Sequence, residues 1–322
     1  MHGISKVDVV DATEGCWHRL ETIHPFLDRT TIRAARPIEG RPIYTPDMQP
    51  IPGWQEVIAV RPEGDVSIYV HKDSYQIIGN ERILDVIDRG LVGVDYKITC
   101  VGTLCGWKKF FVSIDLDKGQ THVVNRDEFK SRLTFVTAHD GSMKAHALDS
   151  HTRTVCRNTV ITALGEVRGA MDVSITHKGD VEAKLVGMEQ QIETCFQKRD
   201  EFYTSQEYLA TIPVDRQEAR QIITGIVYPN AGAGSRIENR RDAILGYYAF
   251  GPGNNGETAY DLFNGFTQYW THDCNKSSRS ANMESSDFGT GAQKKREALT
   301  ILLDAEKRNE MKEKGRAILA SL

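Results

Sequence analysis

Arg132-Leu-Thr-Phe-Val-Thr-Ala-His-Asp-Gly-Ser-Met-Lys-Ala-His-Ala-Leu148 is the stretch on which the fold turns. Asp140-Gly141 is a dipeptide suited to a two-residue type I′ turn, in which both central residues need positive φ, and β-compatible runs flank it. The spacing predicts a hairpin that pairs His139 with Ser142 and Thr137 with Lys144. Phe135 and His146 then share their face, and Val136, Ala138, Met143 and Ala145 form the opposite, apolar one.

Upstream, Asp95-Tyr-Lys-Ile-Thr-Cys-Val-Gly-Thr103 turns through Leu104 to Gly106 into a second alternating run that ends at Asp117. Lys108, Phe110, Val112, Ile114 and Leu116 make its core-facing row, leaving Trp107, Lys109, Phe111, Ser113 and Asp115 on the other face. Before this hairpin, Ile83, Leu84 and Ile87 fall on one face of a short helix. Pro37, Pro42, Pro46, Pro50 and Pro52 forbid a long helix earlier still, so residues 1–55 read as an extended, proline-rich arm. The pattern becomes helical from Thr154, and after Val181 the chain reads as helices separated by Gly and Pro breaks. Leu185, Met188, Ile192 and Cys195 or Phe196 recur at helical spacing, and residues 293–321 read as one amphipathic helix. The expectation is an α+β protein: a β-meander of two hairpins with a helix before and long helices after, divided as 1–55, a β-rich core at 56–180 and a helical half at 181–322.

The composition fits a globular chain, with 322 residues, 40% hydrophobic and 26% charged. No apolar run approaches the ~18 residues of a membrane span, and the N-terminus lacks the order of a signal peptide, so a cytoplasmic protein is expected. Six scattered cysteines without a Cys-x-x-Cys pair point to neither a disulfide framework nor a zinc ribbon. The net charge of −4 is unevenly spread. Between Lys97 and Lys178 there are 12 Lys and Arg against 8 Asp and Glu, a balance of +4, while the rest of the chain stands at −8. Such a segment is the electrostatic footprint that a polyanion partner needs, although a solvated sheet face has the same composition.

Gly251-Pro252-Gly253-Asn254-Asn255-Gly256 matches the dinucleotide fingerprint in letters only. It follows a helical pattern instead of a strand and no strand comes after it, so no nucleotide cofactor is expected. His139, Asp140 and Ser142 lie too close together in one turn to form a nucleophile, base and orienter by themselves. His139, His146, His151, Cys156 and His177 are metal-compatible residue types, but their spacings match no zinc pattern, and no metal is expected. In the nucleic-acid reading, Trp107 and Phe111 stack bases while Lys108, Lys109, Lys144, Arg153 and Arg157 track phosphates. Packing of both aromatics under the C-terminal helices is the alternative.

Several motifs together resemble a family of phage- and plasmid-associated proteins of unknown function found in prophages. They are Thr137-Ala138-His139-Asp140-Gly141-Ser142, Arg153-Thr154-Val155-Cys156-Arg157-Asn158-Thr159, Ile175-Thr176-His177, and the run from Thr258-Ala259-Tyr260 through Asn264-Gly265, Thr267, Tyr269 and His272 to Phe288-Gly289 and Lys294. The match covers roughly residues 40 to 305. The order of elements is also similar to the core of Rad52/RecT-type single-strand annealing proteins, an analogy at the level of fold alone. That likeness implies binding of single-stranded DNA in recombination of a mobile element, assembly into homo-oligomeric rings or filaments, and capping of a following helix by Asn158 and Thr159. The rival readings are a metal-dependent nuclease or hydrolase using His139, Asp140, His146 and His177, and a structural or host-interaction scaffold.

Overall fold

The computed structural model describes residues 7–12, 32, 34–116, 121–125, 127–153, 159–162, 174–228, 234–274, 285–286 and 289–322. The protein is α+β and forms two compact units. The first comprises residues 1–120, 131–150 and 163–197; the second comprises 121–130, 151–162 and 198–322.

β1 (Val7–Ala12), β5 (Tyr96–Leu104), β6 (Lys109–Leu116), β8 (Asp127–Ala138) and β9 (Ala145–Arg153) are neighbours in that order, the first unit holding β8 from residue 131 and β9 up to residue 150, and β11 (Ser174–Ile175) pairs with β9. Strands β5, β6, β8 and β9 make the expected meander. β2 (Ile38–Tyr44), β3 (Pro50–Ala59) and β4 (Val66–Lys72) form a separate antiparallel sheet, so the proline-rich arm is a hairpin and position 55 falls inside β3. Phe110, Val112, Ile114 and Leu116 face a core closed by Ile83, Leu84 and Ile87 of α1 (Asn80–Gly90) and by Leu185, Met188 and Ile192 of α2 (Val181–Thr211). Phe111, Ser113 and Asp115 are buried too, so the sheet is covered on both faces; Asp115 pairs there with Arg132 at 2.6 Å.

The hairpin at Asp140-Gly141 is wider than expected. β8 ends at Ala138 and β9 begins at Ala145, and Gly141 has φ +72° while Asp140 is not left-handed, which excludes type I′. His139 N–H donates to the Lys108 carbonyl at 2.7 Å, continuing the β6 ladder instead of pairing with Ser142. The Asp140 carboxylate accepts from the Ser142 N–H at 3.0 Å, an Asx turn that widens the loop. The added residues reverse the parity of β9: Phe135 and Ala145 face the same core, although the tight turn set them on opposite faces.

The helical pattern from Thr154 is corrected as well, since β10 (Thr159–Thr162) and β11 precede α2. Thr159 therefore opens a strand and caps no helix; Asn158, Arg157 and Cys156 lie outside the described residues.

The second unit holds β7 (Thr121–Val124) paired with the start of β8, β10 beside β9, α3 (Arg216–Val227), α4 (Ser235–Phe250), α5 (Ala259–Gln268), α6 (Thr290–Leu303) and α7 (Ala305–Ser321). α5 opens on a reciprocal capping box between Thr258 and Asp261 and runs into a π-helical turn at Tyr269–Asp273. The single tail helix is two, broken at Asp304, whose carboxylate caps α7 by accepting from Glu306 and Lys307 N–H. Its core gathers Leu209, Ile222, Ile244, Tyr248, Phe263, Phe266 and Leu302.

Candidate functional site

Two of the quoted motifs meet in the first unit. The end of β8 carries Thr137 and His139, and the residues after β11 carry His177; β4 and the turn that follows it bring His71 and Tyr75, and α1 begins with Asn80. His139 is wholly buried, and its Nε2 lies 2.8 Å from the Asn80 side-chain oxygen. The Asn80 amide nitrogen donates to the Ala34 and Arg36 carbonyls, so its oxygen faces the imidazole and Nε2 of His139 must carry the proton. The same logic puts a proton on Nε2 of His71, which donates to the His139 carbonyl at 2.9 Å, and on Nδ1 of His177, which donates to the Gln76 carbonyl at 3.0 Å. Nε2 of His177 then accepts from the Thr137 hydroxyl at 3.4 Å.

Burial, with His177 and His71 nearby, pushes the His139 pKa down to about 3, and burial also lowers that of His177. Both rings are neutral near pH 7. Tyr75, raised by burial, donates its hydroxyl to the Ala138 carbonyl at 2.8 Å.

Four rings run in series through this cluster. The Tyr69 ring lies 4.8 Å from His71, His71 stacks on Tyr75 at 3.8 Å, and Tyr75 stacks on His177 at 4.7 Å. Tyr69 is 49% exposed, so the ladder begins at the surface and ends in the core. Lysines gather at the same end of the sheet. Lys109 opens β6 opposite Ala138, and Lys108 just before it takes the His139 N–H on its carbonyl; Lys144, exposed, precedes β9 and donates to Ser174; and Lys178, also exposed, follows His177. Lys184 donates to Thr176 and to the Lys178 carbonyl.

The other expected site residues lie elsewhere. Trp107 is 2% exposed and packs with Ile38, Val57, Ala59 and Ile68, with Arg61 over its ring at 5.8 Å. Phe111 is buried in the sheet. Neither can stack a base in this structure, which corrects the expected aromatic face. Arg153, in the second unit, is 1% exposed and pairs with Asp127, which also accepts from Tyr260 at 2.7 Å. Its guanidinium reaches the Pro252 carbonyl and the Asn254 side chain, so the glycine-rich loop receives an arginine. The N–H groups of Asn255, Glu257 and Thr258, which a phosphate would require, already donate to the Asp261 carboxylate.

Of the metal-compatible residues, His139 and His177 come into one cluster, while His151 stacks on Phe202 at 4.0 Å in the second unit. Among the described residues no three His, Cys, Asp or Glu side chains group as metal ligands. His71, Tyr75 and Asn80 belong to none of the quoted motifs. The only sequence signal for them is the close run of aromatic and imidazole rings in Tyr69-Val-His-Lys-Asp-Ser-Tyr75.

Among the described residues no helix is long and apolar enough to cross a membrane. Residues 68–300 match the model of a family described as a domain of unknown function, DUF932. No curated protein and no solved structure matches the chain.

Proposed function

We propose that this chain, which belongs to the DUF932 family, binds single-stranded DNA at the lysine-rich end of the first unit's sheet. The observation that supports the reading is the ring ladder that opens at exposed Tyr69 and ends at His177, which exposed Lys178 follows, while exposed Lys144 lies in the loop whose Gly141 faces His71. A surface aromatic on which a base can lie, next to cations that follow the backbone, is the chemistry of sequence-tolerant strand binding. Trp107, Phe111 and Arg153 take no part. Lys108, Lys109 and Lys144 keep the phosphate role, and Lys178 and Lys184 join them. The histidines behind Tyr69 act as a rigid support, each held by a carbonyl or amide oxygen.

The likeness to strand-annealing proteins extends the proposal to a cytoplasmic homo-oligomer that anneals strands in recombination of a phage or other mobile element. Titration of the full chain into a labelled, unstructured oligonucleotide at low ionic strength tests it. Affinity that falls with added salt and varies little with sequence is expected; salt-independent or absent binding would sink the reading.

A further inference from the structure

The hairpin of β2 and β3 carries a groove that the nucleic-acid reading does not use. Gly40, Arg41 and Pro42 of β2, residues 50–55 and Asp73 line a volume of about 330 Å³. Trp54 lines it and is 43% exposed, Ile51 is exposed beside it, and Tyr44 and Met48 stand exposed in the same hairpin. Trp54 and Ile51 thus stand exposed at one groove, and adjoining exposed apolar side chains mark interaction sites.

Charge narrows the class of partner. Residues 38–73 carry Glu39, Asp47, Glu56, Glu63, Asp65 and Asp73 against Arg41, Arg61 and Lys72. Arg41 is paired with Asp65 at 2.7 Å and with Glu39, Arg61 lies over Trp107, and Lys72 lies 6.0 Å from the Trp54 ring centre. The excess is acidic, with exposed Asp73 at the groove and exposed Asp47 in the turn between its strands. At the groove itself, away from Tyr69, Asp73 and Asp47 disfavour a nucleic acid. The backbone excludes another route: Pro42 sits in the edge strand β2 and has no N–H to offer, which blunts addition of a further strand along that edge. On the β2 side a partner is left to enter across the face, where the groove opens.

We propose that the groove docks an extended peptide segment of a partner protein in which arginine or lysine alternates with apolar residues. An apolar side chain fills the space between Pro42, Pro52 and Trp54, and the cations meet Asp73 and Asp47, an aromatic anchor with a polar rim.

The test is fluorescence anisotropy of the full chain with two labelled peptides, one alternating arginine with leucine and one alternating glutamate with leucine. The arginine peptide should bind and the glutamate peptide should not. Trp54→Ala should weaken binding at least ~10-fold, as loss of a buried aromatic anchor does. Asp47→Lys with Asp73→Lys should weaken it and reduce its salt dependence. Circular dichroism should be unchanged in all variants, and oligonucleotide affinity unchanged in Trp54→Ala. Equal binding of both peptides, indifference to Trp54→Ala, or sedimentation showing that Trp54→Ala dissociates a dimer of this chain would each overturn the proposal.

Discussion

The imidazole of His139 and the side-chain amide of Asn80 lock each other in place. Asn80 spends both amide protons on the Ala34 and Arg36 carbonyls, and its oxygen takes the Nε2 proton of His139 at 2.8 Å. The pair joins the end of β8 to the first residue of α1, and it holds His139 in one tautomer.

A pH dependence follows. The His139 pKa is about 3 in the folded chain against about 6.5 unfolded, so between those values the unfolded state holds the extra proton. Stability is then full above the unfolded value and falls as pH drops through the window, by up to ~1.4 kcal/mol per pH unit for one such group. His177, lowered too, acts in the same direction. Urea titrations from pH 7 to pH 4 should show this fall, and His139→Gln should flatten it. An unchanged slope would show that His139 is not buried neutral.

The Arg153 and Asp127 pair lies in the second unit with both side chains buried. Removing one partner leaves an uncompensated buried charge, so Asp127→Ala or Arg153→Ala should cost about 3–5 kcal/mol. Replacing both with apolar residues should cost less than either alone. Chemical denaturation of the three variants checks the order; a double variant that costs more than either single one would contradict it.

Gly225 of α3 and Gly315 of α7 let these two helices touch. A Cβ on Gly315 would overlap the Gln221 carbonyl, and one on Gly225 the Met311 carbonyl. Gly315→Val should force the helices apart and cost ~1–3 kcal/mol, as overpacking does. Gly246 of α4 has open space around it, and Gly246→Ala should stabilise by up to ~1 kcal/mol through helix propensity. Thermal melts of both report the contrast. The same contact means that truncation at Asp304 strips the cover from α3 and destabilises the second unit, where an independent amphipathic tail would have left it intact.

Periodicity made the meander and α2 legible, because Phe110, Val112, Ile114 and Leu116 repeat every second residue and Leu185, Met188 and Ile192 follow helical spacing. Local pattern could not show that Asp140 would turn its side chain back to Ser142, or that β9 would begin only at Ala145 and so face the other way. The alternation that set Phe111 apart from Phe110 was real, but only tertiary packing shows that both faces are covered. His139 and His177 stood out in their motifs. Their partners did not, since Tyr75 and Asn80 reach them from segments about 60 to 100 residues away. Arg153 looked like a free cation for the same reason: Asp127, Tyr260 and the Pro252 carbonyl are distant in sequence.

The turn at Gly141 couples fold to the proposed surface. Its φ of +72° is unfavourable for a β-branched residue, and a Cβ there would come within 3.0 Å of the His71 ring. Gly141→Val should therefore cost at least ~1 kcal/mol. It should also displace His71 from its place between Tyr69 and Tyr75. Binding of DNA should suffer beyond the stability loss, measured under conditions where the variant remains folded. Two further variants separate the contributions. If Lys144 and Lys178 each neutralise one phosphate, Lys144→Glu with Lys178→Glu should weaken every sequence alike and flatten the log-log salt slope by about 0.7 per lost contact. Tyr69→Ala should cost ~1–3 kcal/mol of affinity with little change in that slope, because a stacked base carries no counterion term. A Tyr69→Ala variant that binds as tightly as the parent, at every salt concentration, would remove the ring ladder from the binding surface.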